Sequence, residues 1–384
     1  MKKRKSILFV LLLSLLWIGR GYGFEGAGTK DSPYKIQSAA DLLMLSERVN
    51  GGEQYDGVHF FQTSDIDLQG EPWIPIGTEK VPFLGSYDGA GHTVSNLVIS
   101  GHRSSRLGLF GLVGKGGATG SPYISGIRLE GVTINATRKE EDLAIGALAG
   151  EVRSGYSVRG CAAKIRSLSF ESAAGGSVTL GGLIGVADGC ELWDCWVEQA
   201  QKGGAIIEVK SSDACVVGGL LGRFEGYAMH KTQAQIQRAF ADVSVRVEAV
   251  RSTVGGFVGV AKDVWVSDCF SLGDVNGLEG DVAIFIGRME GSGQCCYTMG
   301  KLNVKGVTKH PLMLAVGGEE CDNFYYKDYF GLFLSGAKEK YGRKFSEAAL
   351  KGEILPEGFS QRSWEVHRGQ PPLLKMRIGG MSIR

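Results

Sequence analysis

Beyond its first 23 residues the chain has no apolar run approaching the ~20 residues needed to span a bilayer, so the remainder reads as soluble. It lacks a basic stripe. Setting aside Lys2, Lys3, Arg4, Lys5 and Arg20 of the leader leaves 37 basic residues against 41 acidic ones. That mildly acidic balance excludes the electrostatic footprint of a nucleic-acid-binding protein. The six histidines are scattered, and there is no C-x-x-C or H-E-x-x-H, so no metal site and no cofactor are expected. A G-x-S-x-G elbow and a reactive-cysteine signature are both missing. One G-x-G-x-x-G occurs, Gly21 to Gly26, but it follows an apolar leader rather than a strand and opens no helix. No cysteine follows the leader closely, which argues against a lipoprotein anchor.

What is present begins with that leader. MKKRK, then SILFVLLLSLLWIG, then small residues up to Gly23 is the order of a secretory signal peptide. An extracellular, surface or periplasmic location follows as the expectation.

Glycine is the strongest compositional signal: 59 residues in 384, against 9 prolines, with apolar content still globular at 43%. The glycines recur in blocks: "LGLFG" ending at Gly111, "IGALAG" at Gly150, "LGGLIG" at Gly185, "VGGLLG" at Gly222, "VGGFVG" at Gly259, "AIFIG" at Gly287 and a weaker "LAVGG" at Gly317. Their period means a solenoid, a propeller or an array. The shortest unit, Gly259 to Gly287, has room for one coil of three short strands and three turns, whereas a propeller blade usually needs about 40 residues or more. The predicted fold is therefore all-β: a right-handed parallel β-helix, with Leu, Ile, Val and Phe stacked inward and the glycines supplying positive φ at recurring corners. Residues 24–100 read as an N-terminal cap and first coils, 101–320 as the repeats, and 321–384 as a closing cap.

The caps have their own signals. Ser38 and Asp41 approximate a capping box, Leu42, Leu45 and Val49 share a helical face, and Gly51 and Gly52 stop the helix. Such a helix can cover the open edge of a terminal coil. Near the other end, Phe324, Tyr325, Tyr326, Tyr329, Phe330 and Phe333, with a helical run from Ser346, fit the same task.

Eight cysteines in an exported chain suggest disulfides. Cys161, Cys195, Cys269 and Cys296, however, fall at nearly equal distances after motif glycines, and Ala239 takes a similar place. Equal phase predicts a stacked, inward ladder of free thiols. Bridging of Cys190 with Cys215 stays open, and vicinal Cys295 and Cys296 should not bridge each other.

Four residues are candidates for chemistry. Asp65 and Asp67 in "TSDIDLQG" stand at i, i+2 on one face of a strand. Asp88 and His92 flank the turn in "GSYDGAGHTV", where Gly89 and Gly91 can supply positive φ. The turn reading makes Asp88 a backbone acceptor at a corner and His92 the start of a strand; the rival reading makes them an acid/base pair.

The repeated "VGGLLG" and "VGGFVG" resemble the GLUG motif of exported bacterial proteins. "GAGTKDSPYKIQSAADLLMLSERVNGG", "HFFQTSDIDLQG", "WIPIG" and "LGSYDGAGHTVSNLVI" look like that family's lead-in, and "DNFYYKD", "FSEAALKGE" and "WEVHRGQPPLLKM" like its closing segment. The resemblance implies a modular, adhesin-like surface protein and carries no catalytic signature. The expected function is extracellular binding without a catalytic site of its own, the partner being a glycan or a host or matrix protein. The alternatives are a β-helical polysaccharide lyase or glycoside hydrolase, and a structural spacer or assembly subunit.

Overall fold

The computed structural model describes residues 23–101, 104–115, 121–137, 143–172, 177–201, 203, 206–226, 234–278, 280–304, 312–315, 321–327, 342–378 and 381–383. The leader up to residue 22 lies outside them, as do Gly317, Tyr329, Phe330 and Phe333. Among the described residues the chain is mostly β, with two long parallel sheets of 26 and 6 strands, two small antiparallel pairs and few helices.

The motif blocks form one ladder. Phe110, Ala149, Ile184, Leu221, Val258, Ile286 and Met313 pair in sequence, each parallel to the next. Just before each of the middle motif strands, the chain crosses the second sheet, whose strands run Arg106–Leu107, Leu143–Ile145, Val178–Gly181, Val216–Gly218, Ser252–Gly255 and Gly280–Ala283. Alternation puts one set of side chains inside, and a continuous core runs from Phe24 to Tyr326. The seventh unit differs from expectation. Ile286 and Arg288 pair with Met313 and Leu314, so the register slips at Gly287 and no glycine stands opposite it.

The motif glycines serve a different purpose from the one expected. Positive φ is absent from Gly181, Gly182, Gly185 and their counterparts in the next two units. They are required by close approach instead. A Cβ on Gly181, Gly218 or Gly255 would lie 2.0, 1.9 and 2.0 Å from the carbonyl oxygens of Ile184, Leu221 and Val258, because the chain folds sharply back from the second sheet. On Gly182, Gly219 and Gly256 it would meet carbonyl oxygens of the following unit at 2.1, 2.1 and 2.2 Å, and on Gly185, Gly222 and Gly259 those of the preceding unit at 2.6, 2.7 and 2.5 Å. "AIFIG" can dispense with the double glycine because Gly280–Ala283 is the terminal strand of the second sheet.

Left-handed backbone is confined to other corners. One column runs through Gly91, Gly126, Gly160, Asp194, Arg238, Asp268, Cys295 and Asn323, with φ between 51° and 81°. Glycine fills the first three levels. Later levels use polar residues that bond locally: Arg238 donates from Nε and an Nη to both carboxylate oxygens of Asp194, at 2.7 and 2.6 Å. From the second level on, the next residue turns inward, and this is the cysteine column. Cys161, Cys195, Ala239, Cys269 and Cys296 stack at 0% exposure. Each of the four thiols donates to the carbonyl two residues back, at 3.5, 3.3, 3.1 and 3.2 Å. None of the eight cysteines is in a disulfide, Cys190 and Cys215 included.

Helix α1, Ala39–Asn50, packs its apolar face into the core beside the first strands. The Ser38 hydroxyl accepts from the Asp41 N–H while the Asp41 carboxylate accepts from the Gln37 N–H at 3.0 Å, so the cap is reciprocal. Leu42, Leu45 and Val49 are fully buried, each contributing roughly 1.5–3 kcal/mol. Asn50 ties the helix end to the Pro75 carbonyl and the Gly77 N–H. Among the described residues no helix is long and apolar enough to cross a membrane.

The closing segment does more than cap an end. Arg343–Lys344 stacks on Tyr325–Tyr326 as a further rung. Helix α2, Glu347–Leu350, capped by Ser346, and a hairpin of Trp364–Glu365 with Leu373–Leu374 then pack against the outer face of the large sheet. Phe345, Phe359, Trp364, Leu374 and Met376 form a second apolar cluster there with Trp196, Phe270, Tyr297 and Tyr325.

Candidate functional site

The structure does not bring Asp88 and His92 together. Asp88 accepts the Ala90 N–H at 2.9 Å and the Ser125 hydroxyl at 3.2 Å. Positive φ at this turn is carried by Ala90 and Gly91, not Gly89. Gly89 is instead demanded by space, since a Cβ there would stand 2.6 Å from the Gly126 carbonyl oxygen. His92 turns to Asp65, with Nδ1 at 3.2 Å from Oδ1, and Asp65 also accepts the Thr93 N–H at 2.8 Å. Asp67, on the same outer face as Asp65, accepts from the Gln69 N–H and the Asn96 amide, both at 2.8 Å. Hydrogen bonds from Thr93 and His92 pull the Asp65 carboxyl below its ordinary range, and those from Asn96 and Gln69 do the same for Asp67. Exposed carboxylates held in their charged form suit backbone bonding better than proton abstraction. Among the described residues no group of three or more His, Cys, Asp or Glu side chains converges as a metal would require.

A groove of about 310 Å³ lies elsewhere, on the outer face of the large sheet beside the closing segment. Two columns build it. One residue past each cysteine position the side chain points outward, and there the sequence places Ala162, Trp196, Phe240, Phe270, Tyr297 and Tyr325 in register. Their rings stack along the ladder: Trp196 to Phe240 at 6.0 Å, Phe240 to Phe270 at 4.7 Å, Phe270 to Tyr297 at 4.9 Å, with planes within 13°. Two residues further on, a charged column runs Glu130, Lys164, Glu198, Asp242. Lys164 reaches Glu130 at 3.5 Å. Glu198 is half-buried and makes no hydrogen bond or ion pair among the described residues; burial raises its carboxyl pKa, Lys164 opposes the rise and Asp242 adds to it.

The closing segment fixes one wall. The Trp364 indole N–H donates to Asp268 at 2.7 Å, the Tyr297 hydroxyl to the Pro372 carbonyl at 2.6 Å, and the Cys295 thiol to the Gly358 carbonyl at 3.1 Å. Leu373, Leu374, Met376 and Glu365 thereby face Phe240, Phe270 and Leu272 across the groove. None of these residues was a sequence candidate. The signal was nevertheless present: reading one position past Cys195, Ala239, Cys269 and Cys296 yields four aromatics in one phase.

No protein-family model matches the chain. Over 114 residues it is 32% identical to a protein of Evansella cellulosilytica provisionally described as a Gly-rich membrane protein, a stretch covering 28% of this chain and 13% of that one. Over 175 residues it is 29% identical to halomucin of Haloquadratum walsbyi, covering 43% and 2%. The chain thus spans only a small part of the length of either relative. Among solved structures, a Bacteroides ovatus protein provisionally assigned as an immunoglobulin A1 protease superposes with a TM-score of 0.58 over 92% of this chain and 96% of that chain, at 17% identity. An IgA1 protease superposes with a TM-score of 0.52, at 18% identity, over 91% of this chain and 25% of its own. At such identities the shared property is the parallel β architecture, and the sequence similarity is to segments of a Gly-rich protein and of halomucin.

Proposed function

We infer that the chain is a right-handed parallel β-helix of the GLUG type, exported by residues 1–23, that acts outside the cytoplasm as a binding protein with no catalytic site of its own. The observation that carries this reading is the groove: aromatic and charged columns held in register on a rigid ladder, with Glu198 lacking a partner among the described residues. Asp65, Asp67 and Asp88 are engaged in turns and strand starts, which supports a scaffold role for the sequence candidates. Similarity to a segment of a Gly-rich membrane protein agrees with display at a surface. The test is an array of glycans and matrix proteins probed with the purified exported chain, beside a polysaccharide-cleavage screen. Binding without cleavage is expected. Cleavage abolished by Glu198→Gln with folding intact would favour the carbohydrate-active enzyme, whose one supporting observation is Glu198 beside Asp242 on adjacent rungs. An array on which nothing binds would leave the spacer reading.

A further inference from the structure

We propose that the lateral groove takes an uncharged saccharide, lodged on the apolar floor of Trp196 and Phe240 with its hydroxyls held by Glu198, Asp242 and Lys164. This rests on the binding-protein reading and names the ligand class for the same site.

The groove's chemistry eliminates the other classes in turn. A phosphate or sulfate ester would sit among Glu130, Glu198, Asp242 and Glu365, four carboxylates against the two cations Arg128 and Lys164. A basic peptide or polyamine would prefer an unbroken acidic row, but Lys164 interrupts it between Glu130 and Glu198. A purely apolar ligand would bury the Glu198 carboxylate without a donor, which is costly. A sugar offers both halves of what the walls present: flat C–H faces for the apolar floor, and closely spaced hydroxyls that donate to carboxylates and accept from an ammonium.

Geometry agrees. Adjacent rungs of a parallel sheet lie about 4.8 Å apart, so Lys164, Glu198 and Asp242 form a row of one donor followed by two acceptors along the ladder. At Ala162 the outward column loses its ring, and Arg128 stands one rung further on. The floor steps down there, where the aromatic stack ends. A volume of about 310 Å³ is at the lower end of ordinary ligand pockets and suits one or two sugar residues rather than a protein loop. Glu198 gains from such a ligand the hydrogen-bond donors it lacks in the free protein.

The experiment is calorimetric titration of the full exported chain with neutral oligosaccharides of glucose, galactose, mannose and N-acetylglucosamine, with uronic-acid oligomers, an oligolysine and immobilised matrix proteins as comparators. Trp196→Ala can fail by unfolding, so the decisive variants are Glu198→Gln and Phe240→Leu, each checked for a cooperative melting transition that shows the fold intact. The expected result is binding of at least one neutral oligosaccharide, weakened tenfold or more by both variants and unaffected by Asp65→Asn. Saccharide binding indifferent to both variants overturns the site while leaving the binding-protein reading in place. Binding of a matrix protein or a charged comparator alone, lost in the same variants, overturns the ligand class and keeps the groove. Absence of binding to every probe overturns the proposal and the reading beneath it together.

Discussion

Asp88 shows how a residue that looks reactive in sequence can be consumed by backbone. Its carboxylate holds the Ala90 N–H and the Ser125 hydroxyl across two rungs, and Asp88→Ala should cost about 1–2 kcal/mol in chemical denaturation. Gly91→Val should cost more, because φ is 81° and a β-branched residue tolerates that region poorly. His92→Gln should be nearly neutral, its imidazole facing an exposed Asp65. Two kinds of glycine separate cleanly at this scale. Gly218→Ala should cost about 3 kcal/mol, since the new methyl would meet the Leu221 carbonyl at 1.9 Å, whereas Gly160→Asn should cost under about 1 kcal/mol because Asp194 and Asn323 adopt the same left-handed conformation higher in the column. Glu198 supplies a pH prediction. Its carboxyl pKa is raised in the fold chiefly by burial, so the folded state binds the proton more tightly than the unfolded one. Stability from this group is therefore fully present below the unfolded value near 4.5 and is lost as pH rises through the folded value. Glu198→Gln should raise the melting temperature at pH 7 relative to wild type, and the gain should vanish near pH 4.

At the scale of the element, the cysteine column behaves as an apolar strand feature. Burial pushes the Cys161 thiol up to about 12 and Cys195 and Cys296 well above their ordinary value, so none is a thiolate at neutral pH. In the native protein this column should resist an alkylating reagent, and denaturant without reductant should expose all eight thiols, as counted by mass spectrometry. Resistance that persists until reductant is added would show bridging instead. Equal phase after the motif glycines made this column legible in sequence, because stacking in register converts a period into a contact. The aromatic column one residue away went unread for a related reason. Its spacing follows the same irregular units, but which neighbour of an inward residue lies against another segment depends on the closing residues folding back, and nothing local to Trp196 or Phe240 encodes that.

For the whole molecule, the closing segment decides what surface is offered. Residues 342–378 cover the lower aromatics and build one wall of the groove, so a chain truncated after residue 341 should expose Phe270 and Tyr297, bind a hydrophobic dye and aggregate. A truncated chain that stays monodisperse would show that this wall is dispensable. Export belongs to the same scale: mass spectrometry of the secreted protein should find a new N-terminus between Gly21 and Phe24, and an intact Met1 would contradict it.

The sequence by itself determined the parallel stack, the helix over Ala39–Asn50 and the phase of the inward cysteines, because each rests on periodicity or on contacts a few residues apart. Tertiary structure alone decided why the motif glycines are glycines, which partner His92 takes and where the groove lies. Those depend on approach between residues tens of positions apart: a Gly256 carbonyl closing on Gly219, Asp65 meeting His92 from a neighbouring strand, and Leu373 lining one groove with Phe240. Backbone packing distance and the path of a returning segment are properties of the folded chain, and residue types record them only as an unexplained glycine or an aromatic in phase.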